Sequence, residues 1–163
     1  KYCKKLSSEK NFTVLIPDMG SSKLGQSYAK MLRMSFALID KRRNGHNQSE
    51  IVSVVGELDR QHVLIVDDMI DTAGTILNAA KVAKEKGALS VTVAATHGIL
   101  SGEAIERLSD DTIDSIFLTD TTNTAEIKNL SKLKIISSAK IFAETINRIH
   151  NGESVSQLFR KVI

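Results

Sequence analysis

The sequence predicts a doubly wound α/β domain with a mostly parallel sheet and helices on both of its faces. Short apolar runs, each bounded by Gly, Pro, Asn or Asp, recur along the chain at residues 13–17, 36–39, 63–66, 91–95, 115–118 and 133–136. Their apolarity is continuous rather than alternating, which is typical of parallel strands buried on both faces. Helical patterns separate several of these runs, and this alternation of strand and helix favours the doubly wound fold.

Two of the helical patterns are well defined. In the first, apolar residues at positions 76, 79, 80 and 83 lie on one face, and Gly87 ends the pattern. In the second, positions 139, 142, 143, 146 and 149 form an apolar stripe that runs into Asn151 and Gly152. Residues 1–10 also show a helical pattern, so we expect the chain to begin within a helix.

Composition indicates one globular domain covering residues 1–163. A chain of 163 residues with 42% hydrophobic content can enclose one core. Aromatic residues make up only 4% and the basic residues are dispersed, which argues against a nucleic-acid stacking platform. No apolar run approaches the ~20 residues that span a bilayer, no secretory signal pattern opens the given chain, and the single cysteine cannot form an internal disulfide. We therefore expect a cytoplasmic protein without nucleic-acid or membrane partners.

Two adjacent carboxylates, Asp67 and Asp68, follow one of the most apolar predicted strands. In open α/β sheets, ligands bind at the carboxyl ends of strands, so these residues are expected at a ligand-binding edge. Because adjacent side chains on a strand point to opposite faces, one can contact a ligand while the other orients the loop or a metal. The alternative is that both are solvated charges at a strand end.

A loop of small residues comes next and consists of Asp71, Thr72, Ala73, Gly74 and Thr75. Backbone N–H groups at the start of the following helix, together with two hydroxyls, can bind a phosphate monoester. The alternative is that Asp71 or Thr72 merely caps that helix. Carboxylates that accept hydrogen bonds from vicinal hydroxyls, beside such a phosphate site, are typical of sugar-phosphate binding.

The ordered run from Val66 to Thr75 resembles the signature of the type I phosphoribosyltransferases. Within that family the chain is similar to the ribose-phosphate pyrophosphokinases, with further resemblance over residues 14–18, 37–43, 96–102 and 151–159. The resemblance implies a phosphoribosyltransferase-like fold and transfer of the diphosphoryl group of ATP to the 1-hydroxyl of ribose 5-phosphate, for nucleotide biosynthesis. It also implies that Asp67 binds the ribose hydroxyls with support from Asp68, and that Asp71 to Thr75 bind the 5-phosphate.

Residues 41–50 have almost no apolar side chains and are interpreted as a mobile surface loop. Lys41 and Arg43 match the paired basic residues of the family's flexible catalytic loop. The resemblance implies that they stabilise charge on the transferring phosphoryl oxygens while the loop excludes water. From composition alone, an ordinary basic surface turn is the alternative.

Asp18 matches an acidic position that handles Mg²⁺ and the diphosphate in this family, with Met19, Gly20 and Ser21 completing the diphosphate loop. The family usually has glycine at the position of Ser21. A β-carbon is therefore expected where the backbone should pass close to the diphosphate, although Ser21 and Ser22 could instead donate hydroxyl hydrogen bonds.

The C-terminal residues Ser154, Ser156 and Phe159 match positions that line a regulatory phosphate or ADP site between subunits in this family. Without the resemblance, the same residues would be interpreted as a plain capped tail. The family match therefore implies both a regulatory ligand and a subunit contact near the end of the chain.

The resemblance also implies a second domain, because in this family a domain of similar topology precedes this one and supplies most ATP contacts. The chain starts at Lys1 without a Met and contains no P-loop motif. We therefore expect it to be the C-terminal half of a two-domain protein that assembles as a homo-oligomer, a hexamer by family resemblance. The isolated chain is expected to bind ribose 5-phosphate more readily than to catalyse its conversion.

Three other functions remain open. A phosphoribosyltransferase acting on a nucleobase would use the same loop, but it needs a base-recognition hood and no aromatic-rich segment is available for one. A non-catalytic regulatory homologue of the synthetase would be free to lose the pair Lys41 and Arg43, which is intact. A phosphoacceptor receiver domain is suggested by paired Asp residues at a strand end, yet it leaves Thr72 to Thr75 without a role.

Overall fold

The computed structural model of the chain describes residues 11–43, 50–123 and 130–160, with side chains at all of these except 41–43, 50–52 and 159–160. The strands in these ranges are β1 (Phe12–Ile16), β2 (Ser35–Arg43), β3 (Glu50–Val55), β4 (His62–Ile70), β5 (Ser90–Gly98), β6 (Ser115–Thr119) and β7 (Leu133–Ile136). The helices are α1 (Ser22–Leu32), α2 (Gly74–Glu85), α3 (Ala104–Ser109), α4 (Ala139–His150) and α5 (Ser156–Arg160). All six predicted strands and both well-defined predicted helices are therefore confirmed.

The described strands form one seven-stranded sheet in the order β3-β2-β1-β4-β5-β6-β7. The pair β2 and β3 is antiparallel and every other pair is parallel. From β1 the chain continues through α1 to β2 on one side, while β4 pairs with β1 on the other side. The strand order thus reverses between β1 and β4, and the crevice beyond their carboxyl ends is where a sheet of this type binds ligands.

Helices pack on both faces of this sheet, as predicted. On one face, Ala29 and Leu32 of α1 pack with Val14 and Leu64. On the other face, Ile76 and Ala80 of α2 pack in one cluster with Leu15 of β1 and Ile65 of β4. Successive residues of β1 and β4 are therefore buried on opposite faces, which explains why the apolar runs are continuous.

The antiparallel pair of β2 and β3 corrects the prediction of a loop at residues 41–43 and 50. The backbone of β2 continues to Arg43, and Glu50 already belongs to β3, with Lys41 opposite Val52 and Arg43 opposite Glu50. Residues 44–49 lie outside the described residues. Polar composition did not exclude a strand here, because the hydrogen bonds between strands join backbone groups, whatever the side chains are. An antiparallel edge strand can also expose polar side chains to water.

Gly25 allows α1 to lie close against β1. A β-carbon at this buried position would be 2.5 Å from Cγ1 of Ile16. Alanine would gain in helix propensity, but the clash with a buried side chain outweighs that gain. We expect Gly25→Ala to lower the free energy of unfolding by about 1–3 kcal/mol in a denaturant titration. The exposed neighbour Lys23→Ala is the control, and equal stability of the two variants would contradict the close packing.

The helix α4 exposes most of its predicted apolar stripe, since Phe142, Ile146 and Ile149 are each more than half exposed. Its Arg148 is only 8% exposed and contacts Glu144, the Ser154 carbonyl and Gln157. These contacts attach the C-terminal tail to the helix. None of the helices in the part of the chain that the structure describes is long and apolar enough to cross a membrane.

Asp120, just after β6, anchors the start of α4. Its carboxylate accepts hydrogen bonds from Ser137 Oγ at 2.7 Å, Ser138 N at 2.7 Å and Ser138 Oγ at 2.6 Å. These bonds, chiefly those from Ser138, lower the pKa of Asp120 from 3.8 to about 2. Because the folded pKa lies below the unfolded value, the stabilisation is present above pH 3.8 and is lost as the pH falls through about 2.

We expect an NMR titration of the Asp120 carboxyl carbon to show a midpoint near pH 2. Asp120→Asn should lower the unfolding temperature at pH 7, whereas Asp111→Asn, which changes an exposed carboxylate in a turn, should not. A midpoint near pH 4, or equal unfolding temperatures for the two variants, would contradict this anchoring role.

Candidate functional site

The carboxyl ends of β1 and β4 bring the predicted acidic residues together at the strand-order reversal. Asp18 follows β1, and Asp67 and Asp68 are part of β4. Asp67 is half-buried, whereas Asp68 is exposed. Burial is the main cause that raises the pKa of Asp67, and its side-chain hydrogen bond with Asp68 and repulsion by Asp68 and Asp18 raise this pKa further. The edge therefore presents a half-buried carboxylate in a negative field, which favours a ligand that supplies hydrogen-bond donors or a cation.

The 71–75 loop lies beside Asp67 and surrounds a small cavity. The cavity has a volume of about 170 Å³ and is lined by Asp67 and residues 69–76. This volume is below the about 300–1,000 Å³ that is typical of sites for drug-sized ligands, so it suits a small polar ligand. The predicted loop residues and Asp67 thus share one concave surface.

The start of α2 lacks a side-chain cap. The N-cap is Ala73, in a left-handed conformation with φ 59° and ψ 8°, and it makes no side-chain capping hydrogen bond. The alternative in which Asp71 or Thr72 is the N-cap is therefore wrong. A carboxylate oxygen of Asp71 instead accepts a hydrogen bond from the Ser101 hydroxyl. Because the first N–H groups of a helix have no intrahelical acceptor, this helix start can bind an anion.

Asp18 and Ser21 form a closed turn between β1 and α1. Asp18 Oδ1 accepts hydrogen bonds from Ser21 N at 3.0 Å and from Ser21 Oγ at 3.3 Å. The same hydroxyl lies 3.1 Å from the Asp18 carbonyl oxygen. The Ser21 side chain is therefore directed back to Asp18, which shows where its hydroxyl hydrogen bonds are made.

The donor set at this edge suits Mg²⁺ only with help from a ligand. Among the described residues, no group of three or more His, Cys, Asp or Glu side chains is arranged to hold a metal ion. Mg²⁺ is commonly bound by one or two carboxylates together with substrate phosphates and water. Asp18 and Asp67, which repel each other here, fit that arrangement rather than an all-protein cage.

The remaining predicted site residues are only partly described. Lys41 and Arg43 lie on the backbone of β2, but their side chains are outside the described residues, and the same holds for the Phe159 side chain. Ser154 and Ser156 are exposed, and their hydroxyl oxygens are 2.7 Å apart. Their roles therefore stay predictions.

Two residues that sequence reasoning missed contact the 71–75 loop. Ser101 donates a hydrogen bond from its hydroxyl to the Asp71 carboxylate. It lies in the segment 96–102, whose family resemblance was noted from the sequence without a role for this residue. Arg107 donates a hydrogen bond from Nη1 to the Thr72 carbonyl at 2.9 Å, and nothing in its sequence surroundings indicated this contact.

Comparisons with known proteins identify relatives of this chain. A ribose-phosphate pyrophosphokinase from Chlorobaculum tepidum is 42% identical over 158 residues, which is 97% of this chain and 49% of that protein. The crystal structure of phosphoribosylpyrophosphate synthetase from Mycobacterium smegmatis superimposes with a TM-score of 0.83 at 32% identity, over 93% of this chain and 49% of that chain. The chain thus spans about half the length of these two relatives.

A more distant structure shares the fold alone. Orotate phosphoribosyltransferase from Aeropyrum pernix matches with a TM-score of 0.55 at 17% identity, over 90% of this chain and 75% of that chain. The predicted phosphoribosyltransferase-like α/β fold is therefore confirmed. The profile of the phosphoribosyl synthetase-associated domain matches residues 43–160. The chain belongs to the phosphoribosyl synthetase-associated domain family.

Proposed function

We propose that this chain is the C-terminal half of a ribose-phosphate pyrophosphokinase and that its 71–75 loop binds the 5-phosphate of ribose 5-phosphate. The observation that carries the proposal is the uncapped start of α2, which lies in one small cavity with the half-buried carboxylate of Asp67. A helix start attracts the phosphate, while a carboxylate accepts hydrogen bonds from sugar hydroxyls. A sugar phosphate supplies both groups in one molecule.

In the proposed complex, each end of the substrate has its own partners. Backbone N–H groups of the loop and the hydroxyls of Thr72 and Thr75 donate to the phosphate oxygens. Asp67 accepts hydrogen bonds from the ribose hydroxyls, and Asp68 supports it. These contacts fix the position of the 1-hydroxyl, and positioning is a large part of catalysis in phosphoryl transfer.

The proposed reaction is an in-line displacement at the β-phosphorus of ATP. The 1-hydroxyl oxygen forms a bond to this phosphorus and loses its proton, while the bond to the oxygen bridging the α- and β-phosphorus breaks and AMP leaves. Mg²⁺, held by Asp18 together with substrate phosphates, would neutralise the charge of the diphosphate. Lys41 and Arg43 would stabilise charge on the transferring phosphoryl oxygens.

The rest of the catalytic site is expected from outside this chain. We propose that a preceding N-terminal domain supplies most ATP contacts and that the whole protein acts in the cytoplasm as a homo-oligomer, a hexamer as the family resemblance implies. Ser154, Ser156 and Phe159 would belong to its regulatory phosphate or ADP site. About half of each relative's length lies outside the match, which leaves room for such a domain.

The test is a product assay with the full-length protein. We expect ATP, ribose 5-phosphate and Mg²⁺ to give phosphoribosyl pyrophosphate and AMP in equal amounts, detected by ³¹P NMR. Turnover of phosphoribosyl pyrophosphate with a nucleobase, and none with ATP, would replace the proposal with a nucleobase phosphoribosyltransferase. Absence of both reactions would indicate a non-catalytic homologue. The isolated 163 residues should bind ribose 5-phosphate without turnover.

A further inference from the structure

The 71–75 loop is held in a conformation that its own sequence does not favour. Ala73 has φ 59° and is buried, with 6% of its surface exposed. L-residues with a side chain rarely adopt this left-handed conformation, because the β-carbon approaches the following carbonyl oxygen. Something outside the loop must therefore stabilise it.

The 99–107 segment, which leads from β5 through α3, makes contacts that supply this support. Its backbone N–H groups at Ile99 and Leu100 donate to the Ile70 carbonyl at 2.8 and 3.1 Å. The Ser101 N–H donates to the Asp71 carbonyl at 3.1 Å, and the Ser101 hydroxyl donates to the Asp71 carboxylate.

Arg107 extends the same pattern to the next carbonyl. Its Nη1 donates to Thr72 O at 2.9 Å, while Nη2 donates to Glu103 at 2.6 Å in an ion pair. The guanidinium is planar and its donors have a fixed geometry, so Glu103 orients the group that contacts Thr72. Three consecutive carbonyls, those of Ile70, Asp71 and Thr72, are therefore bound by one segment.

The orientation of these carbonyls determines the orientation of the N–H groups in the loop. In a planar trans peptide, the C=O and N–H bonds point in opposite directions. Binding of the Thr72 carbonyl by Arg107 therefore directs the Ala73 N–H away from Arg107, and binding of the Asp71 carbonyl likewise directs the Thr72 N–H. Successive N–H groups oriented together in this way form an anion-binding concavity.

We propose that Arg107 is a positioning residue for the phosphate site: through the Thr72 carbonyl it sets the direction of the loop N–H groups and so the affinity for a phosphate monoester. This inference rests on the proposed function for the identity of the phosphate. Arg107 does not need to touch the ligand, and its charge is balanced by Glu103. Its effect is expected on substrate binding rather than on the displacement step.

The test uses the full-length protein and Arg107→Met, which keeps a long apolar stem and removes every donor. We expect KM for ribose 5-phosphate to rise about tenfold, because a hydrogen bond with a charged donor is lost, while kcat and KM for ATP change less than about twofold. Arg107→Lys should recover part of this loss, since an ammonium can donate to the same carbonyl. Glu106→Gln, which changes an exposed neighbour on α3, is the control and should raise KM less than about twofold.

Calorimetric titration with ribose 5-phosphate and with inorganic phosphate measures affinity without turnover. For both ligands, we expect the affinity to fall from wild type through Arg107→Lys to Arg107→Met. Unchanged affinity in Arg107→Met, or a loss of kcat at constant KM, would overturn the inference. Equal loss of ribose 5-phosphate and ATP affinity would also overturn it, because it would indicate general damage to the fold. If Arg107→Met does not fold, Ser101→Ala, which removes the hydroxyl contact to Asp71, should raise KM in the same direction.

The two proposals fail in different ways. If the wild-type protein makes no phosphoribosyl pyrophosphate, the proposed function is wrong, yet the titrations still decide whether Arg107 controls phosphate affinity. If the wild-type protein is active and Arg107→Met binds ribose 5-phosphate normally, only the positioning role is wrong.

Discussion

Replacing Lys41 or Arg43 by alanine is expected to reduce kcat for diphosphoryl transfer by about 10³-fold in the full-length protein. The proposed role of these cations is to stabilise charge that develops on the transferring phosphoryl oxygens. KM for ribose 5-phosphate should change little, because the proposed binding site of the sugar phosphate is the 71–75 loop. Steady-state kinetics with ribose 5-phosphate as the varied substrate measure both quantities.

Arg42 provides a matched control on the same strand. Lys41 and Arg43 occupy alternate positions of β2, whereas Arg42 occupies the position between them, and successive strand positions belong to opposite faces. Arg42→Ala removes one positive charge from the same short segment and should lower kcat less than about threefold. A similar loss of kcat in all three variants would indicate a general charge effect and contradict the catalytic role.

Asp67→Asn is expected to weaken ribose 5-phosphate binding while it stabilises the protein. The amide oxygen of asparagine is an uncharged acceptor, and its hydrogen bonds with the ribose hydroxyls are weaker than those of a carboxylate. The dissociation constant of ribose 5-phosphate should therefore rise about tenfold to a hundredfold in a calorimetric titration. At the same time the substitution removes a carboxylate whose charged form is disfavoured by burial and by neighbouring carboxylates. The unfolding temperature at pH 7 should therefore increase.

The pH dependence of this stabilisation has a definite sign. The folded pKa of Asp67 lies above its ordinary value of 3.8, so the folded state binds the proton more tightly than the unfolded state. The carboxyl group therefore lowers stability as the pH rises from 3.8 through the raised folded pKa, and the deficit persists above it. The advantage of Asp67→Asn should shrink as the pH is lowered toward 3.8. Lower stability than wild type at pH 7, or unchanged affinity, would contradict this interpretation.

The fold was predictable because its core strands are buried on both faces. Residues such as Val14 and Leu15, which pack on opposite faces of β1, produce the continuous apolarity that predicted this strand. The antiparallel β3 was missed although four of its six residues, Ile51, Val52, Val54 and Val55, are apolar, because the polar run before it was interpreted as a loop. The α4 stripe correctly predicted a helix, but periodicity alone could not show that Phe142 and Ile146 would be more than half exposed.

The candidate site was predictable to the extent that it is local in sequence. Asp67 and the 71–75 loop are adjacent along the chain, and their cavity was expected from the strand end and helix start. Arg107 could not be found in this way, because it contacts Thr72 from 35 residues further along the chain. The turn of Asp18 and Ser21 shows a similar limit, since only the structure reveals that the serine hydroxyl is directed back to the aspartate.

The most direct test of the central claim is a crystal structure of the full-length protein with ribose 5-phosphate. We predict that the 5-phosphate oxygens lie about 2.7–3.2 Å from backbone nitrogens of the 71–75 loop, with the ribose hydroxyls on the carboxylate of Asp67. Binding of the phosphate at another surface, with the 71–75 loop free of ligand, would contradict it.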